Sequence, residues 1–380
     1  MPTSRSKSPL LRVMTLAGLL LAAPALAAPA LAAPHVLAVS HGQPVPKRHA
    51  PSTRPVPHVP TAEELFIKVL RADDAFTYRG RKVATYWRTG QTTAVAVFHR
   101  PVDDRRIYYL SPKSRRGLLL VSDGHEEWQY DPHIKELSHR RLSPGALEED
   151  DLLNYTLLRA NYFLAVDPKP RVYADRKVFL VTVKRPRGLT LARKFWIDAG
   201  SGLILKREIY GDDGELTVTR AFSEITYHPK PSPEVFSLAG LSKERGIHTV
   251  ENSSPSEEPV ALNLVSSQLA GNAYAPPSLA GYRLMGASAT AAGGKPLLHL
   301  RYSDGLNLVS LFEQKRTQAR RPTRVKGMQK AQIGSVPAHI SHRASLTTLN
   351  WDTPTLNVTL IGEMGVKALY SLALAAVQNK

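Results

Sequence analysis

From residue 76 onward, apolar and polar positions alternate in short runs broken by turn residues. FTYRGRKVATYW, TTAVAVFHR, RRIYYLS, RGLLLVS, EEWQYD, KVFLVTVKR, LARKFWID, GLILKREIY and ELTVTRAFSEI all follow this rule. A period of two in segments rich in Val, Ile, Tyr, Phe and Trp is strand patterning. Asp123-Gly124, Asp213-Gly214 and Asp304-Gly305 stand between such runs. Asp-Gly predicts tight hairpins of type I′, whose central residues need positive φ. Two stretches break the pattern. In TAEELFIKVLRA, Thr61 and Glu64 stand at capping-box spacing, and Ala62, Leu65, Phe66 and Val69 form a stripe of helical period. GALEEDDLLNYTLL predicts a second helix. The expected body is a large, curved antiparallel sheet with few helices.

A smaller set follows. PLLHLRYS places Leu298, Leu300 and Tyr302 on one face and His299 and Arg301 on the other, and LNVTLI alternates likewise. In GVKALYSLALAAV, Val366, Leu369, Tyr370, Ala373, Leu374 and Val377 form one helical stripe. This predicts a second sheet with a packed terminal helix. Between the two sets, residues 241–277 are polar and hold Ser, Glu and Pro, as a linker does; VALNLVSSQLAG within them suits a short helix or strand. Residues 34–60 form a Pro-rich, extended leader. Ahead of it, Arg5, Lys7 and Arg12 precede VMTLAGLLLAAPALAAPALA, with A-L-A at 25–27 and at 30–32. Pro24 and Pro29 interrupt that run short of the ~20 apolar residues a spanning helix needs, so a cleaved export signal over 1–33 is expected. The expected order is signal 1–33, leader 34–60, large domain 61–240, linker 241–277 and small domain 278–380.

Charge narrows the partners. The 380 residues carry 50 Lys and Arg against 32 Asp and Glu, a formal charge of +18, of which the signal would remove three. Such an excess favours anionic partners: lipid headgroups, lipopolysaccharide phosphates, acidic protein segments or nucleic acid. Export makes nucleic acid the least suited of these. The chain has no Cys, which excludes disulfides and thiolate metal sites. DGHEEWQYDP opens like a zinc helix, but the second His would fall at Gln129, and the stretch lies between strand runs. It reads as a hairpin. GxSxG, GxGxxG and the P-loop are absent. Glu148 to Asp151 suit a solvated helix start, and His339 and His342 fall on opposite faces of a strand. No catalytic residue, cofactor or metal is expected.

Four stretches carry a family resemblance. RKFWIDAGSGLILKREIYGDDGELTVTRAFSEI and VSDGHEEWQYDPHIKEL resemble the first domain of the sigma-E regulatory RseB/MucB family, whose large domain is LolA/LolB-like. GYRLMGASATAAGGKPLLHLRYSDGLNLVSLFEQ and LNVTLIGEMG resemble its small C-terminal domain; HLRYSDGLNLVSLF is the most specific element. The resemblance implies an α+β fold, mostly antiparallel: a half-open LolA-like barrel around an apolar groove, then a small sheet with a C-terminal helix. It implies a non-enzymatic periplasmic regulator of envelope stress. The partner would be a membrane-anchored anti-sigma factor, RseA/MucA-like, shielded from proteolysis. Lipoprotein, lipopolysaccharide or another acyl-chain ligand would release it, and a second copy of the chain is carried as a further partner. A lipoprotein or lipid carrier without a regulatory partner is the alternative; a cationic binder of wall polymer is a third reading. The leader and linker are longer than the family pattern, and RTQARRPTRVKGMQKA is more basic.

Candidate groove residues are Trp87, Phe98, Leu119, Trp128, Phe195 and Ile197, since each buried CH₂ of an acyl chain contributes about 0.8 kcal/mol. Ordinary core packing accounts for the same residues. Arg105, Arg106, Arg115 and Arg116 are the candidates for anionic headgroups; a solvated basic sheet edge is the alternative. His299, Arg301, Arg316, Arg320, Arg321 and Arg324 are the candidates for partner contact, and a charged surface explains them as well.

Overall fold

In the computed structural model the chain enters its first sheet from a capped helix, α1 (Ala62–Ala75). Residues 58–378 are described, apart from 102–103, 142–147, 187, 239–240, 242–245, 252–257, 272, 275, 277, 293–294, 317–326 and 344–345. The export signal, almost all of the leader, and Arg320, Arg321 and Arg324 lie outside them. The capping box forms as its spacing predicts: Glu64 N–H donates to Thr61 Oγ1 at 3.1 Å and Thr61 N–H to Glu64 Oε2 at 2.7 Å. Thr61→Ala is expected to lower unfolding stability by about 1 kcal/mol in a denaturant titration, and an unchanged midpoint would refute the cap's role.

Six strands then run as a meander: β1 (Tyr78–Tyr86), β2 (Gln91–Arg100), β3 (Asp104–Ser111), β4 (Leu119–Asp123), β5 (Glu126–Asp131) and β6 (Glu136–Arg141). Helix α2 (Glu148–Asn161) leads to β7 (Phe163–Val166), β8 (Arg171–Tyr173), β9 (Arg176–Lys184), β10 (Leu191–Asp198), β11 (Ile204–Tyr210) and β12 (Leu216–Tyr227). β12 returns to pair with β1, and β13 (His248–Glu251) adds to β6 in parallel. The order is β13-β6-β5-β4-β3-β2-β1-β12-β11-β10-β9-β7, with β8 on β9. The sheet stays open, with β13 at one edge and β7 at the other. Helix α1 covers one face: Leu65 and Phe66 pack with Val181, Phe195 and Ile197, and Ala72 packs with Tyr78, Val97 and Phe222. Gly202, at φ +82°, lets the β10–β11 turn pass under α1, where a Cβ would meet Lys68 O at 2.6 Å.

The second sheet contains β14 (Glu258–Val260), β15 (Ser278–Leu279), β16 (Tyr282–Ala292), β17 (Lys295–Ser303), β18 (Leu308–Lys315), β19 (Gln329–Ile333), β20 (Val336–Arg343), β21 (Leu346–Asp352) and β22 (Leu356–Gly362). Its order is β14-β16-β17-β18-β22-β21-β20-β19, with β15 on β16. Helix α3 (Val366–Gln378) packs on the face of Leu298, Leu300 and Tyr302. The stretch expected to link the domains is partly structured: β13 belongs to the large sheet, β14 to the small one, and VALNLVSSQLAG forms helical turns. Among the described residues no helix is long and apolar enough to cross a membrane.

Two details differ from the sequence pattern. The Asp-Gly hairpins form, but only Gly124, Gly214 and Gly305 take positive φ, so the turns are not type I′. Each Asp side chain instead accepts backbone N–H groups just downstream, as Asp123 Oδ1 does from His125 and Glu126, and this needs no left-handed Asp. On α3 the buried stripe is Leu369, Leu372, Ala373 and Ala376, whereas Val366 is exposed. The helix rolls to bury Leu372 and Ala376 against the sheet, while Val366 at its first position stays exposed.

Candidate ligand face and domain junction

Directly paired residues of neighbouring antiparallel strands share a face. Phe195 stands opposite Val181 and Arg207, Arg207 opposite Arg220, and Arg220 opposite Ala84. The next row runs Val183, Arg193, Ile209, Val218 and Tyr86. Phe195 meets Phe66 of α1 edge-on, with centroids 5.8 Å apart, so both rows lie on the helix-covered face. That face is apolar beneath α1 and carries three arginines beyond it.

The small domain closes over this basic end. The β17–β18 hairpin reaches in: Leu306 packs against the cluster of Leu65, Phe66 and Phe195, and Tyr162 donates its hydroxyl to Asp304 Oδ2 at 2.6 Å. Asn161 Nδ2 donates to Asp304 O at 3.0 Å, and Arg193 Nη2 to Asn307 Oδ1 at 2.6 Å. Asp304 Oδ1 also accepts the Leu306 and Asn307 amides, so one side chain shapes the turn and docks it. Burial, and then the Asp304 carboxylate, push the Tyr162 hydroxyl far above its ordinary range, which keeps it a donor. The same causes, in the same order, raise Tyr282 beside it.

At a second point of contact Arg220 forms an ion pair with Glu363, each side chain 28% exposed. The Tyr86 hydroxyl also hydrogen-bonds Arg220. Arg207 differs from its neighbours. Its guanidinium lies 5.3 Å from the Phe195 ring centroid, and the Glu363 carboxylate that pairs with Arg220 also acts on it. Burial, then the nearby Arg220 and Arg193, pull it down to about 10. Burial lowers Arg193 as well.

The six apolar candidates do not line one groove. Phe195 and Ile197 lie in the core under α1. Phe98 and Trp128 fall on the opposite face, through the row Phe98, Arg106, Val121, Trp128 and His139. Leu119 joins them there, packed with Tyr130, Leu238 and Leu241. Trp128 stacks on His139 at 3.9 Å and Phe98 meets Phe236 edge-on at 6.3 Å. Trp87, 55% exposed, sits at the β1–β2 turn and donates to Thr219 Oγ1. The physical reason is parity: alternation within one strand does not say which of its two faces meets α1, and only the register between strands relates them.

The arginine candidates separate too. Arg105 and Arg106 are adjacent on β3 and point to opposite faces. Arg106 is engaged within the chain, donating to Val235 O at 3.0 Å and Ser237 O at 3.3 Å. Arg116 is exposed and donates to Leu110 O. Arg115 lines a cavity of about 420 Å³ with Tyr86, Gln91, Thr92, Thr93, Pro112 and Ser114. In the small domain His299 and Arg301 face away from α3. His299 stacks on Phe312 at 4.3 Å and contacts Ser310 Oγ, and Arg301 lies across Gly286. Arg316 is held by Thr353 O at 2.9 Å, with Asp352 at 3.9 Å.

Sequence reasoning missed Tyr162, Arg193, Arg207, Arg220, Asn307 and Glu363. One signal was present: Arg193 stands two residues before Phe195 and four before Ile197, on their side of the strand. Among the described residues no cluster of His, Asp and Glu could hold a metal ion.

No protein-family model matches the chain, and no curated protein matches it in sequence. Solved structures do match. One is the complex of Pseudomonas aeruginosa MucA/MucB, with a TM-score of 0.54 and 18% identity over 82% of this chain and 97% of that one. Another is MucB in complex with MucA(peri), with a TM-score of 0.54 and 17% identity over 83% and 98%. The likeness is one of fold, and it runs through both domains.

Proposed function

We propose that this chain, built on the fold seen in MucB, is a non-enzymatic, exported regulator that binds the periplasmic part of a membrane-anchored anti-sigma factor. The observation that carries the reading is the fold likeness over both domains to a protein solved with MucA. Acyl-chain ligands act on the large domain in this reading, and His299, Arg301 and Arg316 are the proposed contacts of the partner. An acidic partner segment suits the net charge of +18.

The test is calorimetric titration of the purified chain with the periplasmic segment of its own organism's membrane anti-sigma factor. Saturable 1:1 binding, weakened by Arg301→Ala without loss of melting temperature, is expected. Absence of binding at any accessible concentration removes the regulator reading. Tight acyl-ligand binding without that partner would instead leave a lipid carrier.

A further inference from the structure

Beside α3 the small domain holds a cavity of about 180 Å³. Leu311, Trp351, Val358 and Ala376 supply apolar walls, and Glu313 and Tyr274 also line it. Glu313 breaks the pattern of its strand. Alternation along β18 turns Val309, Leu311 and Glu313 inward, at 0%, 1% and 0% exposure. Across the sheet Glu313 stands in a row with Leu298, Val358, Trp351 and Ala338, all of them buried and apolar. It accepts the Tyr274 amide at 2.8 Å, a task that a neutral Gln would do as well. What the carboxylate adds is charge, which an enclosed apolar setting makes costly to keep. Burial, then that charge, raise the Tyr274 and Tyr302 hydroxyls above their ordinary range.

Size and lining limit what the cavity takes. An apolar cavity of about 150 Å³ admits benzene, so 180 Å³ holds one ring or a branched chain of similar bulk. No basic side chain stands among the described residues that line it. Asp352 lines it too, and that carboxylate is met by Arg316 at 3.9 Å and by Asn357 Nδ2 at 2.8 Å. Trp351 and Tyr274 add aromatic surface, which attracts cations. An anion would meet two carboxylates, and a neutral ligand would gain little from the Glu313 charge. We propose that this cavity binds a small organic ammonium ion with an apolar body, Glu313 serving as its counter-ion and Trp351 and Tyr274 as its aromatic walls. The site stands in the small domain alone and rests neither on the partner reading nor on an acyl-chain ligand.

The probes are benzylammonium, its neutral counterpart benzyl alcohol, and ammonium chloride, each titrated calorimetrically into the full chain at neutral pH and fixed ionic strength. Benzylammonium binds, benzyl alcohol binds about tenfold or more weakly, and ammonium, which has no apolar body, does not bind. The net charge of +18 repels cations from the surface at large, so a preference for the cation marks a local site. Glu313→Gln keeps the volume and the acceptor for Tyr274. It brings benzylammonium down to the affinity of benzyl alcohol, a loss of about tenfold, and leaves benzyl alcohol unchanged. Val377→Phe, on a half-buried wall of the cavity, fills it and removes the binding of both, and it reads the site even if Glu313→Gln folds poorly. Three results overturn the proposal. The first is no benzylammonium binding. The second is equal affinity for benzylammonium and benzyl alcohol, which leaves an apolar cavity without selection for charge. The third is binding that Val377→Phe, or a folded Glu313→Gln, leaves unchanged, which places the amine elsewhere.

Discussion

Asp304→Ala is expected to uncouple the two domains, so that one calorimetric unfolding transition becomes two. Asp304 is 7% exposed and performs two tasks. Its Oδ1 shapes the β17–β18 turn by accepting the Leu306 and Asn307 amides, and its Oδ2 accepts the Tyr162 hydroxyl at 2.6 Å and Asn307 Nδ2 at 3.1 Å. Removal leaves a buried phenol and two amides without acceptors. The cost is about 3–4 kcal/mol, because unsatisfied buried donors lose their full desolvation penalty. Leu306 then loses its seat against Phe66 and Phe195. Asp304→Asn keeps part of the turn but offers Tyr162 only a neutral acceptor, and should fall between the two. A single transition with an unchanged midpoint in Asp304→Ala would show that the junction does not couple the domains.

The second large effect lies at the opposite end of β10. Asp198, 1% exposed, accepts Arg176 Nε at 2.8 Å and the Gly200 and Ser201 amides at 2.8 and 2.9 Å. Burial by itself would raise its carboxyl; the Arg176 guanidinium and the two amides outweigh burial and hold it below the ordinary carboxylate range. Asp198→Ala is expected to cost about 1–2 kcal/mol at neutral pH, since it leaves the buried Ser201 amide without its acceptor, while Arg176, 40% exposed, and Gly200 can turn to water. The pH dependence has a definite sign. A carboxyl with a lowered folded pKa contributes stability that is complete above its unfolded value, near 3.9, and is lost as pH falls through the folded value. The gap between the parent and Asp198→Asn in urea midpoints should therefore be widest at neutral pH and shrink below about pH 4. A gap that grows in acid would reverse the assignment.

Local chemistry was legible wherever it depended on near neighbours. The capping box at Thr61 and Glu64 forms as its spacing predicts. Leu298, Leu300 and Tyr302 are buried on one side of β17, and His299 and Arg301 face the other way. DGHEEWQYDP supplies the β4–β5 turn and all of β5, with His125 in the turn. The candidate groove failed as a set for a different reason. Trp128 and Phe195 are each half of an alternating pattern, but nothing in either strand says which half faces α1. The junction was less legible still. Arg207 and Arg220 look like exposed strand charges in isolation, and only the pairing of β11 with β12 places them side by side.

What the sequence by itself determined is the set of elements: strand period, hairpin positions, the two framing helices and the division into a large and a small sheet. Those features come from residues within a few positions of one another, where period and turn chemistry act directly. What the tertiary structure alone decided is which faces meet. Register across β9 to β12 and β1 brought three arginines into one patch. The docking of a distant hairpin brought Asp304, Leu306 and Asn307 onto it, across about 140 positions of chain from Tyr162 to Asp304. Contacts of that span depend on burial summed over two sheets, and alternation along a single strand carries no record of the sum.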